Sequence, residues 1–333
     1  MAGIAVLALG MVLTACGSSK QPSSSGNNDS GSTSGGKHLK LAFLPSFEAD
    51  YFTQEANGAK AEAAKLGIDL VVQNANGSDD KAVSNLKTLL STGGVQGVVM
   101  IVPDQQISKA VMDLVKQYNV PIIAADNQIE GAPFVGFDWV KIATEAANQI
   151  VTDYQAEGWQ DSDTTAVSVE LQTLQTCNDR TDAQTKTFLS GVSGFPKGNV
   201  VHLPYDGSEN AALSAMATVK TAHPSTKHWV VWSCNDEGVV GAINALKAAG
   251  VSESNIIGVT VNGSFACPTW DGGKTGAYRQ AIFTDSGRTG ALGVQLLHDY
   301  LVNKTPIPAN SALDGVPVDP TNYKTKMTGY LNC

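Results

Sequence analysis

Asn, Asp and Arg side chains recur in this 333-residue chain wherever a β-branched run ends, and aromatic residues stand beside them. Asp50, Tyr51 and Phe52 come shortly after the run 39–44, and Asp126 and Asn127 come directly after 120–125. Thr176 and Arg180 follow the run 165–171, Cys234 and Asn235 follow 228–232, and Asn262 follows 256–261. Phe137 stands where one series of runs gives way to the next. These side chains suit a polyhydroxylated ligand. Each hydroxyl both donates and accepts, so amides and carboxylates can satisfy it from both sides, and Arg adds a rigid fork of donors. The C–H faces of such a ligand lie flat on aromatic rings, the use expected of Tyr51, Phe52 and Phe137. Taken singly, each residue has a plainer reading: an Asn or Asp after a strand is commonly a helix cap or turn former, and a lone Phe is commonly core. Their recurrence at matching places in two halves is what points to a binding cleft.

Bringing these residues together requires elements that end on one side of the molecule. Short β-branched runs at 39–44, 68–73, 95–102 and 120–125, then at 165–171, 199–203, 228–232 and 256–261, read as strands. Amphipathic stretches at 51–66, 81–90, 107–118, 142–156, 211–221 and 239–249 read as helices between them. Strands alternating with helices predict an α/β protein with parallel sheets covered on both faces. The two series are similar in length and break near 137–139, so two doubly wound sheets are expected. Ligands of such sheets sit beyond the carboxyl ends of the strands, where the polar residues are.

Composition narrows the partners. The net charge of −9 excludes a nucleic-acid ligand, because phosphate contacts need a basic patch and no Lys/Arg cluster occurs. Residues 4–13 form an apolar run much shorter than the roughly 20 residues of a membrane-spanning helix. With Leu13-Thr14-Ala15-Cys16 at its end, that run reads as a signal peptide over 1–15, cleaved before a lipid-carrying Cys16. Residues 16–37 are Ser/Gly/Asn-rich and read as a flexible tether with a reach of roughly 25 Å. The expected location is extracytoplasmic, anchored to the cell membrane by the lipid. The remaining residues exceed one comfortable core and favour two lobes.

Cys177, Cys234, Cys267 and Cys333 show no C-x-x-C or zinc spacing, so no metal and no cofactor is expected. Gly272-Gly-Lys-Thr275 resembles the tail of a phosphate-binding loop, but Pro268 stands where that motif needs its first glycine. A glycosidase would need two acids facing a cleft; Asp50 and Asp126 are the available pair, in surroundings richer in amides than proton transfer calls for.

At these strand ends the chain resembles the type I periplasmic sugar-binding proteins of ABC importers, the ribose-, galactose- and arabinose-binding family, and most of all its arabinose-binding members. The resemblance runs over about 39–323 and is clearest at 39–44, 120–128, 227–236 and 255–263. It implies two lobes joined by three hinge crossovers, 38–137 with 282–315 and 138–281 with 316–333, closing on a sugar. It also implies that Asp126 and Asn127 hold one end of the ligand. Arg180, Asn235 and Asn262 hold the other, with Thr176 and Cys234 along the wall and Tyr51 and Phe52 flanking the ring. The departures are at charged positions. Ser46 or Phe47 stands for a lysine, Asn127 for an acid and Phe265 for another acid, which leaves room for a different pentose, a hexose or an open-chain polyol.

The expected function is therefore capture of a neutral monosaccharide or polyol by a monomeric, lipid-anchored binding protein that feeds an ABC permease, with no chemistry of its own. Two rivals remain: a sensor presenting the ligand to a membrane receptor, and an extracytoplasmic carbohydrate-active enzyme. In a sheet of order 2-1-3-4-5 the first and third strands are neighbours. The loops carrying Cys177 and Cys234 then leave the sheet side by side, so the expected disulfides are Cys177–Cys234 and Cys267–Cys333.

Overall fold

The computed structural model describes residues 39–271 and 276–328. The expected leader 1–15, the expected tether 16–37 with Cys16, the Gly-Gly-Lys-Thr stretch 272–275 and Cys333 lie outside the described residues.

The first half builds strands β1 (Lys40–Leu44), β2 (Asp69–Val72), β3 (Gly97–Met100), β4 (Ile122–Ala125) and β5 (Phe134–Phe137), with helices α1 (Asp50–Leu66), α2 (Asp79–Ser91) and α3 (Ser108–Tyr118) between them. Helix α4 (Trp139–Glu157) opens the second half. That half holds β6 (Thr164–Glu170), α5 (Gln175–Gly191), β7 (Val200–Pro204), α6 (Glu209–Ala222), β8 (His228–Ser233), α7 (Asp236–Ala248), β9 (Ile256–Asn262), α8 (Ala266–Thr269) and β10 (Tyr278–Phe283). The chain then returns through α9 (Ser286–Asn303) and β11 (Asn310–Leu313) and ends in β12 (Val316–Val318) and α10 (Tyr323–Lys326).

Two six-stranded sheets result, ordered β11-β5-β4-β3-β1-β2 and β12-β10-β9-β8-β6-β7. Both contain the expected 2-1-3-4-5 order, all parallel, and β12 alone adds antiparallel, against β10. The chain passes between sheets three times, at Asp138, at Thr284-Asp285 and between β11 and β12. Two of these crossings are held by helix caps. The Asp138 side chain accepts from the Lys141 N–H at the start of α4, and Asp285 accepts from the Gly287 N–H at the start of α9. A capping carboxylate satisfies otherwise orphaned N–H groups and fixes the angle at which the helix leaves the crossing.

Alternate residues of each strand bury on opposite faces. In the first sheet Leu41, Phe43 and Val99 pack under α1 and α9, while Ala42, Leu44 and Met100 pack under α2 and α3. In the second, Val167, Trp229 and Val231 meet α6 and α7, and Ala166, Val230 and Trp232 meet α4 and α5. Burial on both faces is why these strands read as nearly unbroken apolar runs.

Several elements escaped the sequence reading. Helix α5 stands where the sequence predicts the loop that carries Cys177. Its inward stripe is Cys177, Arg180, Thr181, Gln184 and Phe188, so its helical period is written mostly in polar residues. Helix α9 carries Gly287, Gly290 and Gly293, which mask its helical propensity. These glycines serve close packing on α1: a Cβ on Gly290 would sit 2.0 Å from the Glu55 carbonyl oxygen.

Candidate functional site

The carboxyl ends of both sheets face one cavity of about 470 Å³, within the usual range for small-molecule sites. The first lobe supplies Tyr51 and Phe52 from the first turn of α1 and Asp126 and Asn127 from the end of β4. The second supplies Thr176 and Arg180 from α5, Asn235 from the end of β8 and Asn262 from the end of β9.

Asp126 is 8% exposed and has φ +53°, a left-handed conformation that Asp tolerates better than most side chains. Its Oδ1 accepts from the Tyr51 hydroxyl at 3.2 Å, and its Oδ2 is buried without a partner. Burial raises its pKa to about 6, against the opposing effect of the neighbouring Glu55 carboxyl, the Tyr51 hydroxyl and the charge of Arg180. Asn127 spends its amide N–H on the Val102 carbonyl at 2.8 Å, tying the ends of β3 and β4 together. Its amide oxygen remains free to accept.

Arg180 is 9% exposed. One Nη donates to the Cys234 carbonyl at 2.8 Å, and the guanidinium carbon lies 3.7 Å from the centre of the Trp139 ring. Its Nε is buried without a partner. Burial lowers its pKa to about 10, partly offset by Tyr51 and Asp126, so it stays charged at neutral pH.

Asn235 is the N-cap of α7, as the plainer reading had it. Its Oδ1 accepts from the Gly238 N–H at 3.1 Å and from the Tyr205 hydroxyl at 2.5 Å, while its amide N–H reaches the Gly207 carbonyl at 3.4 Å. Asn262 has φ +98° and its Oδ1 accepts from Thr284 Oγ1 at 3.2 Å. The buried carboxylate of Asp236 holds the loop after it, accepting from the N–H groups of Gly263 and Ser264. In both asparagines the oxygen is occupied, so each offers the cavity an amide donor.

Three expected site residues stand elsewhere. Cys234 is fully buried and serves through its carbonyl, because its sulfur is bonded to Cys177. Phe137, 2% exposed, faces the second lobe's core with Ile142 and Val261 and borders a neighbouring recess. Asp50 is exposed at the start of α1.

The Cys177–Cys234 disulfide is present, with Cα atoms 5.0 Å apart, because β6 and β8 are neighbours and deliver the two residues together. Cys177 itself lines the cavity. The second expected bond ends on Cys333, outside the described residues; Cys267 is not a free thiol.

The cavity also holds residues that sequence reasoning missed, Trp139, Asp206, Ser208 and Glu237, and Phe47, one of the two residues expected in place of the family's lysine, lines it too. Trp139 stood in plain view at the break between the two series. Glu237 follows Asn235-Asp236 directly, and burial, then the neighbouring acids Asp236, Glu209 and Asp50, raise its pKa to about 7. Below the cavity, Glu55 lies one helical turn beyond Tyr51 on the same face of α1 and is fully buried.

Among the described residues no group of three or more His, Cys, Asp or Glu could hold a metal ion, and no helix is long and apolar enough to cross a membrane. A cavity between two doubly wound lobes, with polar groups from both and aromatic rings at one side, is a clamp for a small ligand. The family model for a periplasmic binding protein domain matches residues 41–305. The chain belongs to that family. It is 29% identical over 236 residues to the ABC transporter L-arabinose-binding periplasmic protein of Azospirillum brasilense, covering 68% of this chain and 70% of the relative. It is 22% identical over 302 residues to the L-arabinose-binding periplasmic protein of Escherichia coli K12, covering 87% and 91%. The fold superimposes with a TM-score of 0.71 on an ABC transporter periplasmic solute-binding protein of Actinobacillus succinogenes 130z crystallised with bound D-allose. That pair is 19% identical and the match covers 86% of this periplasmic binding protein and 99% of its neighbour.

Proposed function

We propose that this periplasmic binding protein captures a neutral monosaccharide, a pentose or hexose, or a polyol, and delivers it without turnover to an ABC permease. The observation that carries this reading is a pair of under-bonded groups on opposite walls of one cavity. Asp126 on the first lobe presents a buried carboxyl whose Oδ1 receives a single donor, the Tyr51 hydroxyl, and keeps lone-pair capacity, and Arg180 on the second has a buried Nε without a partner. A hydroxyl-rich ligand satisfies both, and the amide groups of Asn127, Asn235 and Asn262 add an acceptor and two donors. Tyr51 and Phe52, edge to face at 5.3 Å, give its C–H surface a place to lie. The relatives support the reading, since the two curated ones are named for L-arabinose and the solved neighbour holds D-allose.

Contacts to both walls favour the closed form. A ligand shifts an open–closed equilibrium only by what it gains in the closed state, and bridging Asp126 to Arg180 is such a gain. The sequence Leu13-Thr14-Ala15-Cys16 supports a lipid on Cys16 and a tether over 16–37 that holds the protein at the outer face of the cell membrane.

A thermal-shift screen over pentoses, hexoses and polyols tests the function. A ligand at 100 times its dissociation constant adds about 2.7 kcal/mol of stability. Calorimetry on the hits should give one site with micromolar affinity or better, about −8 kcal/mol. No response to any neutral sugar or polyol, or the appearance of an altered product, would sink the reading.

A further inference from the structure

We propose that Glu55 is a positioning residue of the ligand cavity, which shares one proton with Asp126 and so keeps Asp126 ionised and turned toward the ligand. The inference rests on the reading of the cavity as a ligand site. A cluster of buried oxygens with more acceptors than donors carries it. Glu55 is 0% exposed, and neither of its carboxyl oxygens has a hydrogen-bond partner. Asp126 Oδ2 has none either, and Tyr51, one helical turn before Glu55 on the same face of α1, bonds the other oxygen of that carboxyl, which sets the two acids side by side. Two carboxylates are acceptors only and cannot bond to each other. One proton between them removes the imbalance: an O–H on Glu55 donates to Asp126 Oδ2, and a pair of buried like charges becomes a single charge.

The surroundings decide where that proton resides. Tyr51 on α1 donates to Asp126 Oδ1, and Arg180 on α5 places its positive charge near Asp126. Both favour the ionised form of Asp126. Asp179 and Tyr205 act in turn on Arg180. Helix α9 packs on this turn of α1 through Ser286, which donates to the Tyr51 carbonyl, and through Gly290 against the Glu55 carbonyl; neither is titratable. Glu55 therefore meets no donor but the proton it keeps, and burial followed by the charge of Asp126 pushes its pKa well above the carboxylate range. The two acids titrate as a pair. With its second oxygen engaged from below by Glu55, Asp126 keeps Oδ1 lone-pair capacity for a ligand hydroxyl on the cavity side.

Two substitutions in the full chain separate this role from mere packing. Glu55→Gln retains a donor to Asp126, and Glu55→Met retains bulk without one. The probe is whichever of L-arabinose, D-ribose, D-allose and myo-inositol binds the wild-type protein most tightly. The wild type should lose affinity as pH falls through about 6, where Asp126 protonates. Glu55→Gln should bind within about threefold of wild type and keep that midpoint. Glu55→Met should bind about tenfold or more weakly at pH 7, with the midpoint moved to higher pH. Independently of any ligand, infrared spectra of the unliganded wild type at pH 7.5 should show a protonated buried carboxyl that is missing in Glu55→Gln. Absence of that band in wild type overturns the shared proton, as does a Glu55→Met protein with wild-type affinity and pH profile, or a Glu55→Gln protein as weak as Glu55→Met. If no sugar in the panel binds while the band is present, the acid pair stands and the reading of the cavity as a sugar site falls.

Discussion

Arg180 stacks on Trp139, with 3.7 Å between the guanidinium carbon and the ring centre, so the charge that faces the ligand is braced by the residue that opens the first crossing between lobes. Trp139 begins α4 directly after Asp138, the cap that fixes the crossing. The stack therefore links a hinge-side element to the cavity wall. A desolvated cation–π contact contributes about 2 kcal/mol, and a hydrogen bond to a charged donor about 1.5–3 kcal/mol.

Arg180→Lys should therefore weaken ligand binding, because an ammonium neither stacks nor presents a planar fork. Trp139→Leu should weaken it about tenfold while Arg180 is present and much less in the Lys background. A double-mutant cycle by calorimetry measures the coupling. Strictly additive effects would show that Trp139 acts on the ligand alone and does not position Arg180.

Cys177 lines the cavity, and the Cys234 carbonyl receives Arg180, so one disulfide joins two parts of the ligand wall. Its two ends are 57 residues apart in sequence, and closing such a loop stabilises the fold by about 4 kcal/mol on the chain-entropy model. The double substitution Cys177→Ala, Cys234→Ala should lower the denaturant midpoint accordingly and also reduce ligand affinity. Unreduced peptide mapping of the wild type should recover the two cysteines linked; an alkylated free thiol at either position would contradict the pairing.

Gly290 on α9 touches α1 at the turn that carries Glu55. A methyl group there would stand 2.0 Å from the Glu55 carbonyl oxygen, which is backbone and has nowhere to go. Gly290→Ala should cost about 1–3 kcal/mol by overpacking, even though alanine is the better helix former. Because α1 also carries Tyr51, affinity should fall with stability. A variant as stable as wild type in urea would show that the two helices can separate freely.

The sheets were legible because burial on both faces writes strands as apolar runs, and their alternation with helices predicts parallel, doubly wound sheets. Eight of the ligand-site residues named from sequence line the cavity: Tyr51, Phe52, Asp126, Asn127, Thr176, Arg180, Asn235 and Asn262. Asp126, Asn127, Asn235 and Asn262 sit at or just after strand ends, and Tyr51, Phe52, Thr176 and Arg180 on the first two turns of the helices that follow β1 and β6. What stayed hidden depends on three-dimensional neighbours. Helix α5 buries polar residues, so its period carried no hydrophobic signal. Glu55 looks like any helix-surface glutamate until α9 covers it. Phe137, expected as a ring for the ligand, ends β5 at the first crossing, where Ile142 and Val261 of the second lobe's core cover it. Cys234 could not be both wall and bridge, and the bridge prevails.

Glu237 gives the last expected outcome. It sits on the first turn of α7 in the cavity wall, near Asp236 and Glu209 and facing the charge of Asp50 from the other lobe. Burial, then those acids, raise its pKa to about 7, against about 4.3 in the unfolded chain. A raised carboxyl pKa means the folded state binds the proton more tightly. The resulting stability is fully present below about pH 4.3 and is lost as pH rises through about 7. Asp126, raised to about 6, adds in the same direction. Glu237→Gln removes the cost of ionising this site, so it should raise the melting temperature of the unliganded protein at pH 8 and leave it nearly unchanged at pH 4. The comparison is a pair of melting curves for each protein at the two pH values. An equal shift at both would mean that the substitution acts through packing, and that the carboxylate of Glu237 carries no electrostatic strain in the open cleft.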